Sequence, residues 1–161
     1  MRLSHIPLRL TTGAFLLSSG LNDLHTPPEA VAEVQKRAKE AFPQLPDVPP
    51  AVFGKGLAAG ELALGAALLL PFVSPVAAGA ALTAFSGALL KMWWVTPGMH
   101  EEGLPRPTPE GTSAAKDVCL LGAGTALVLD GLSDGARHTA RRTRKATRQK
   151  TKAVREALPL G

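Results

Sequence analysis

Two long apolar stretches separated by a single residue dominate this chain. Residues 52–73 and 75–95 are each long enough to cross a hydrocarbon core of roughly 30 Å, which takes about 20 helical residues. Only Ser74 lies between them, and Pro71 and Pro75 stand on either side of it. The pattern predicts an all-α fold whose centre is a helical hairpin that crosses a membrane twice.

Two weaker apolar stretches, at residues 6–24 and 113–132, extend this prediction to four membrane spans. The abundance of small residues in the apolar stretches suits helices that pack closely in lipid. Between the first two spans, residues 27–42 have the pattern of a short amphipathic helix, with Thr26 and Glu29 spaced as a capping box. We therefore expect a four-helix transmembrane bundle over residues 1–132.

Small or polar residues recur at helical spacing within the spans, which predicts the faces along which the helices pack. In the first span this stripe also carries a charge near each end. A separate G-x-x-x-G pair in the second span, Gly56 and Gly60, predicts another close helix contact. The stripes are Arg9, Gly13, Leu16, Gly20 and Asp23 in the first span, Gly54, Ala58, Glu61, Gly65 and Leu68 in the second, and Gly79, Thr83, Gly87 and Lys91 in the third.

The net charge of +5 is concentrated at the end of the chain. From Ser133 onward there are nine basic residues against Asp134 and Glu156. Because Lys and Arg accumulate on the cytoplasmic side of membrane proteins, both termini are expected in the cytoplasm. The amphipathic helix and the Pro/Gly-rich loop 96–112 then face outward. The predicted location is the plasma membrane, with residues 133–161 as a basic cytoplasmic tail.

Anionic lipid headgroups are the expected partner of this tail, since basic residues near a membrane surface are attracted to them. The tail has no aromatic residue on which bases could stack, so nucleic acid is disfavoured. Docking to a cytoplasmic protein stays open. The residues predicted to contact lipid are Arg141, Arg142, Arg144, Lys145, Arg148, Lys150 and Lys152.

Charged residues inside predicted spans are the best candidates for function, because burying them in a bilayer is costly. Glu61, near the middle of the second span, is the strongest candidate, and Lys91, Arg9 and Asp23 complete the predicted intramembrane polar network. Two interpretations stay open. Glu61 forms a structural pair with Lys91 or Arg9, or it serves as a proton carrier or a hydrogen-bonding group for a ligand.

The remaining reactive side chains give weaker signals. Cys119 is the single cysteine, so this chain alone has no dithiol chemistry. His100 is followed by two glutamates, but the sequence lacks further ligands at metal-binding spacing, and no metal site is predicted. Asp23, Lys116 and Asp117 are expected near the outer membrane face, in a polar cluster with His100.

The arrangement resembles the DoxX-like family of small bacterial membrane proteins, in particular its actinobacterial members. The resemblance rests on Arg9 and Gly13 in the first span, on the segment Gly56–Glu61 and on the entry to the fourth span at residues 115–117. It covers residues 3–132 and omits the basic tail. It implies a four-helix membrane bundle with both termini in the cytoplasm.

The resemblance also carries a functional implication. Some members are associated with thiosulfate:quinone oxidoreduction and others with membrane oxidoreductase complexes that handle thiols or superoxide. By that likeness the chain is expected to be a membrane subunit of an oxidoreductase system, with an oxidoreductase partner and a quinone or lipid-like ligand near Glu61. The alternative is a non-catalytic scaffold, or a tether whose basic tail binds anionic lipid or a cytoplasmic partner. Catalysis, partner identity and oligomeric state are not predicted.

Overall fold

The computed structural model describes residues 5–101, 106–109, 111–112 and 117–157, and in these ranges the secondary structure is helical with no strands. The helices are α1 (His5–Asp23), α2 (Pro28–Ala41), α3 (Pro50–Leu69), α4 (Pro75–Val95) and α5 (Asp117–Ala157). The first four correspond to the predicted segments. The start of the predicted fourth span, residues 113–116, lies outside the described residues.

Prolines set the start of three helices, because a proline at the first helical position loses no hydrogen bond and has a suitable φ. Ser74 caps α4, with its Oγ accepting a hydrogen bond of 3.0 Å from the Ala77 N–H. The capping box predicted at Thr26 does not form, since α2 begins at Pro28 and Pro27 occupies the N-cap position. The prediction of a helix to residue 73 is also too long, because α3 ends at Leu69, just before Pro71.

α1 and α3 pack against each other as an antiparallel pair through the predicted stripes. A Cβ on Gly13 would lie 3.0 Å from the Gly65 carbonyl oxygen, and a Cβ on Gly20 would lie 3.0 Å from the Ala58 carbonyl oxygen. Such close approach of two backbones requires residues without a side chain. The predicted α3 face, including Glu61, is buried along this contact.

α4 and α5 form a second antiparallel pair. A Cβ on Gly124 would lie 2.6 Å from the Thr83 Oγ1 and 2.9 Å from the Gly79 carbonyl oxygen. Further along, a Cβ on Gly131 would lie 2.6 Å from the Val76 Cγ2. The predicted stripe of α4 is therefore a packing face over Gly79 and Thr83, but not over Gly87, which has open space beside it.

The two helix pairs meet in one hydrophobic core, to which α1, α3, α4 and α5 all contribute. α2 lies across α3 and α4 and is the amphipathic helix that the sequence predicts. Its ion pair between Arg37 and Glu33 stands on the exposed side, with Nε and Oε1 3.3 Å apart. The core residues are Leu16, Leu64, Leu68, Ala78, Leu82 and Leu127.

The G-x-x-x-G pair in α3 does not make the contact that the sequence predicts. A Cβ on Gly56 or Gly60 would meet no atom within 4 Å. The reason is the helical register: the buried face of α3 follows Gly54, Ala58 and Gly65, which places Gly56 and Gly60 on its outer side.

Three helical segments are long and apolar enough to cross a membrane: Pro50–Leu69, Pro75–Val95 and Asp117–Arg137. α1 is not among them, because Arg9 and several hydroxyl and amide side chains interrupt its apolar sequence. Many large apolar side chains are exposed on the outside of the helices, as expected of a surface that faces lipid. They include Phe15, Val52, Val118 and Leu129.

α5 continues well beyond its apolar part. Gly131 and Gly135, at which the sequence allows the fourth span to end, lie within an unbroken helix of 41 residues. The basic tail is therefore helical as far as Ala157, in direct continuation of the predicted fourth span.

Candidate functional site

Glu61 lies on the buried face of α3, where it contacts α1. Only 6% of its surface is exposed. Gly20 of α1 leaves room for the Glu61 side chain, because a Cβ at position 20 would lie 3.1 Å from the Glu61 Cβ. The same glycine stripe that pairs α1 with α3 therefore allows a carboxyl group to be enclosed between them.

The Glu61 carboxyl group is only partly satisfied. The side chain of Ser19, on α1, hydrogen-bonds it. Its Oε2 atom is buried and has no hydrogen-bond partner among the residues that the structure describes. A buried polar atom without a partner costs free energy. The contribution of Glu61 to packing therefore does not account for a carboxyl group at this position.

Two further carboxyl groups lie close enough to Glu61 for an electrostatic interaction. Asp23 is at the end of α1, and Asp117 is at the start of α5. Three helices thus bring three acidic side chains toward one region. Within the described ranges, however, no group of three or more His, Cys, Asp or Glu side chains is arranged to hold a metal ion.

Arg9 belongs to a different part of the bundle and does not pair with Glu61. Its guanidinium group donates to four carbonyl oxygens at the end of α3 and in the following turn. The Ala67 and Leu68 carbonyls belong to the last turn of α3, where carbonyls lack helical partners, and the negative end of the helix dipole favours a cation there. Arg9 therefore closes the carboxyl end of α3. The acceptors are Leu68 (2.7 Å), Ala67 (3.0 Å), Leu70 (2.9 Å) and Val73 (3.0 Å).

Lys91 also makes a contact other than the predicted pair with Glu61. Its Nζ lies 4.2 Å from the centroid of the Phe42 ring, at the end of α2. This cation–π contact ties α2 to α4. Of the predicted polar network, the structure therefore brings together Glu61 and Asp23, and it places Arg9 and Lys91 in separate structural contacts.

The outer polar cluster is only partly formed as predicted. Asp23 and Asp117 approach Glu61, while Lys116 lies outside the described residues. His100 instead packs against two tryptophans, with its ring centroid 5.4 Å from that of Trp93 and 4.6 Å from that of Trp94. Its Nε2 lies 2.8 Å from the Trp94 carbonyl oxygen.

The sequence pattern does not reveal this aromatic cluster. The pair of tryptophans predicts a membrane-interface belt, but the fold of the following loop brings the histidine onto it. Trp93 Nε1 is buried and unpartnered within the described residues, and a Cβ on Gly111 would lie 2.9 Å from it. The chain itself occupies this space, so the indole does not open onto a ligand site.

A wide groove of about 830 Å³ separates α2 from the residues that follow α4. Its walls carry two acidic and two basic side chains of α2, of which Glu33 and Arg37 pair with each other. The opposite wall, residues 95–99, is uncharged. Because the groove carries both acidic and basic side chains, its charge favours neither an anionic nor a cationic ligand.

The basic residues of the tail lie on the second half of α5. Arg144, Lys145 and Arg148 are exposed. The side chains of Arg141, Arg142, Lys150 and Lys152 lie outside the described part of the structure. Exposure alone does not show contact with lipid, so lipid binding by these residues stays a prediction.

The apolar helices and the lipid-facing side chains define a helical membrane protein. A protein-family model described as DoxX matches residues 5–96, which is more than half of the chain and spans α1 to α4. The chain belongs to the DoxX family. No curated protein and no solved structure matches it.

Proposed function

We propose that this DoxX-family chain is a multi-pass protein of the plasma membrane whose four helices form one bundle, with both termini in the cytoplasm. α1, with 19 residues, is about 28 Å long at ~1.5 Å per residue, and it contacts α3 from Arg9 to Gly20. Since it also contributes Leu16 to the shared core, it crosses the membrane with the other three helices. The surplus of basic residues after Ser133 sets the orientation.

The function proposed for this bundle is that of a membrane subunit of an oxidoreductase system, which holds a quinone or lipid-like ligand at Glu61. The single observation behind it is the buried Oε2 atom of Glu61, which has no hydrogen-bond partner among the described residues. When protonated, the carboxyl group donates one hydrogen bond to a quinone carbonyl, and when ionised it accepts one from a quinol hydroxyl. When bound, a quinone would supply the redox chemistry. The chain has a single cysteine, so it has no dithiol that could do so.

The chain's own residues have distinct parts in this proposal. Glu61 binds and orients the ligand, and Ser19 holds the other part of the carboxyl group. Asp23 and Asp117 lie at the ends of their helices, toward the proposed outer face. In this proposal they pass protons between Glu61 and the aqueous phase.

Titration with a short-chain benzoquinone tests the proposal. The purified protein in lipid nanodiscs is compared with Glu61→Gln and with Ser86→Ala as a matched control. Ser86 is fully buried, but its hydroxyl group bonds only to carbonyls of its own helix. Saturable binding to wild type and to Ser86→Ala, weakened at least about tenfold in Glu61→Gln, supports the site; a tenfold loss corresponds to about 1.4 kcal/mol. Equal binding by all three proteins contradicts it.

The second candidate is a membrane scaffold or tether, and the specific observation in its favour is the unbroken helix α5. This helix extends the bundle into a basic arm that is available to anionic lipid or to a cytoplasmic partner. The two candidates differ at Glu61, because a tether needs no ligand there. Deletion of residues 133–161 separates them: it abolishes the tether's association and leaves ligand binding intact.

A further inference from the structure

The second half of α5 carries most of its positive charge on one side. At about 100° per residue, seven of the nine basic residues after Ser133 fall within an arc of about 100°. Those whose side chains are described, Arg137, Arg144, Lys145 and Arg148, are all exposed. The helical register places positions 141, 152 and 155 on the same side. We call this line of seven residues the basic stripe.

Two of the nine basic residues, at positions 142 and 150, fall outside this arc, and position 150 is on the opposite side of the helix. That side also carries Ala136, Ala140, Thr143 and Thr147, which are small and exposed. A tail selected only for net charge would have its basic residues all around the helix. The one-sided pattern therefore indicates a partner that contacts a single face.

The continuity of α5 limits which partner this is. The apolar segment Asp117–Arg137 is long enough to cross the hydrocarbon core, so Arg148 lies about 16 Å beyond it along the helix. Even at a tilt of about 40°, the largest usual value, this is about 12 Å from the point of exit. Surface electrostatics are screened over about 8 Å at physiological salt. The headgroup layer itself extends about 5–7 Å beyond the hydrocarbon core. The far end of the stripe, at positions 152 and 155, is therefore held away from the headgroups even at this tilt.

We propose that the basic stripe docks on a cytoplasmic protein that presents a row of acidic side chains along a helix. From position 137 to position 155 the stripe is straight and about 27 Å long, which matches about five turns of a facing helix. Charge complementarity across such a contact fixes register and orientation. The tail lacks the aromatic residues that would stack on single-stranded bases, which favours a protein over nucleic acid. This docking does not depend on a ligand at Glu61.

The test uses the full chain in nanodiscs of neutral phosphatidylcholine and two synthetic alanine-based helical peptides. Both peptides contain the same number of glutamates, placed along one face in the first peptide and all around the helix in the second. The chain variant exchanges Arg144 with Thr143 and Arg148 with Thr147, which keeps the net charge and moves two charges off the stripe. Binding is measured by fluorescence anisotropy at physiological salt.

The expected result is that wild type binds the one-faced peptide about tenfold more tightly than the other, since several modest charge pairs add in register. The exchanged variant should lose this preference. Equal affinity for the two peptides, or a preference that survives the exchange, overturns the proposal. A stripe-dependent preference for labelled duplex DNA over the one-faced peptide also overturns the proposal. The same holds if the tail is protected from proteolysis only in nanodiscs that contain anionic lipid.

Discussion

The guanidinium Nε of Arg9 lies 2.7 Å from the carbonyl oxygen of Leu68, so the first helix closes the end of the third. Its other nitrogens reach three more carbonyls around the same helix end. This one contact joins residues almost sixty positions apart and fixes the depth at which α1 lies against α3. It also explains how a buried arginine is tolerated although no carboxylate in the described part of the chain pairs with it, because the carbonyl oxygens and the helix dipole balance its charge.

Substitution of Arg9 should therefore destabilise the bundle. Arg9→Gln leaves most of the four carbonyls without a partner, and we expect the free energy of unfolding to fall by about 2–4 kcal/mol. Arg9→Lys should recover only part of this, because an ammonium group cannot reproduce the planar fork of a guanidinium. Chemical unfolding in detergent micelles measures both changes.

Lys55→Gln is the matched control for this series. Lys55 is a cation on α3 itself, but it is exposed. Its substitution should leave the free energy of unfolding unchanged within about 0.5 kcal/mol. If Arg9→Gln were as stable as Lys55→Gln, the contacts of Arg9 with the end of α3 would not hold the bundle together.

The glycines of the bundle should divide into two classes. Gly124→Ala forces a Cβ to within 2.8 Å of the Thr83 backbone nitrogen, which cannot move without separating α4 from α5. We expect a loss of about 1–3 kcal/mol, as for other overpacked sites. Gly60→Ala meets open space, so it should be neutral or slightly stabilising through higher helix propensity.

Thermal unfolding of the two alanine variants decides between this packing and the one suggested by the G-x-x-x-G pair. If Gly60→Ala were the more damaging substitution, α3 would pack through the face that carries Gly56 and Gly60. A neutral Gly124→Ala would contradict the close contact of α4 with α5.

We expect the Glu61 carboxyl group to lower the free energy of unfolding of the ligand-free protein, since its proposed role is to bind a ligand. In the ligand-free protein its Oε2 atom is buried without a partner among the described residues, so the native carboxyl contributes little to holding the bundle together. Glu61→Gln keeps the shape and an acceptor for Ser19. We therefore expect ligand-free Glu61→Gln to unfold at the same temperature as wild type or at a higher one. A clear decrease would assign Glu61 to structural pairing instead.

The loop after α2 provides a test at the aqueous surface. Lys39 forms a hydrogen bond and an ion pair with Asp47, and both interactions lower the pKa of the Asp47 carboxyl group from its ordinary value of 3.8. Because the folded pKa is lowered, the pair stabilises the loop above the unfolded pKa. The contribution is lost as the pH falls through the folded value.

Carbon-13 NMR of the Asp47 carboxyl group measures this shift directly. Lys39→Met should raise the pKa of Asp47 back toward 3.8, and high salt should reduce the shift in wild type. Lys36→Met, on the same helix, should leave it in place. A pKa of Asp47 that is the same in wild type and in Lys39→Met would show that the ion pair does not persist in solution.

The face along which α3 packs was predictable from the sequence, whereas the contact of its G-x-x-x-G pair and the partners of the charges were not. The stripe from Gly54 to Leu68 follows from helical periodicity alone, and the structure buries it as predicted. Arg9 finds its partners because α3 ends at Leu69, which leaves the last carbonyls of the helix available. The sequence predicts that the helix continues to residue 73, and in such a helix the Leu68 carbonyl would be bonded within the helix. The contact of Lys91 with Phe42 likewise depends on how α2 folds back, which no local pattern reveals.

The extent of α5 shows the limit of glycine as a signal. Gly131 and Gly135 look like helix ends in the sequence, but one glycine in a long helix costs only about 1 kcal/mol relative to alanine. At Gly131 the contact with Val76 of α4 requires a residue without a side chain, so the glycine serves packing. Local propensity could not distinguish these two roles.

Native mass spectrometry of the chain, extracted gently from its own membranes, tests the central proposal most directly. Wild type and Ser86→Ala are predicted to carry a discrete small-molecule adduct with the mass of an isoprenoid quinone or another lipid-like ligand. Glu61→Gln is predicted to lack it while remaining folded. A bare wild-type chain, or an adduct that persists unchanged in Glu61→Gln, would contradict the proposal that Glu61 holds a ligand.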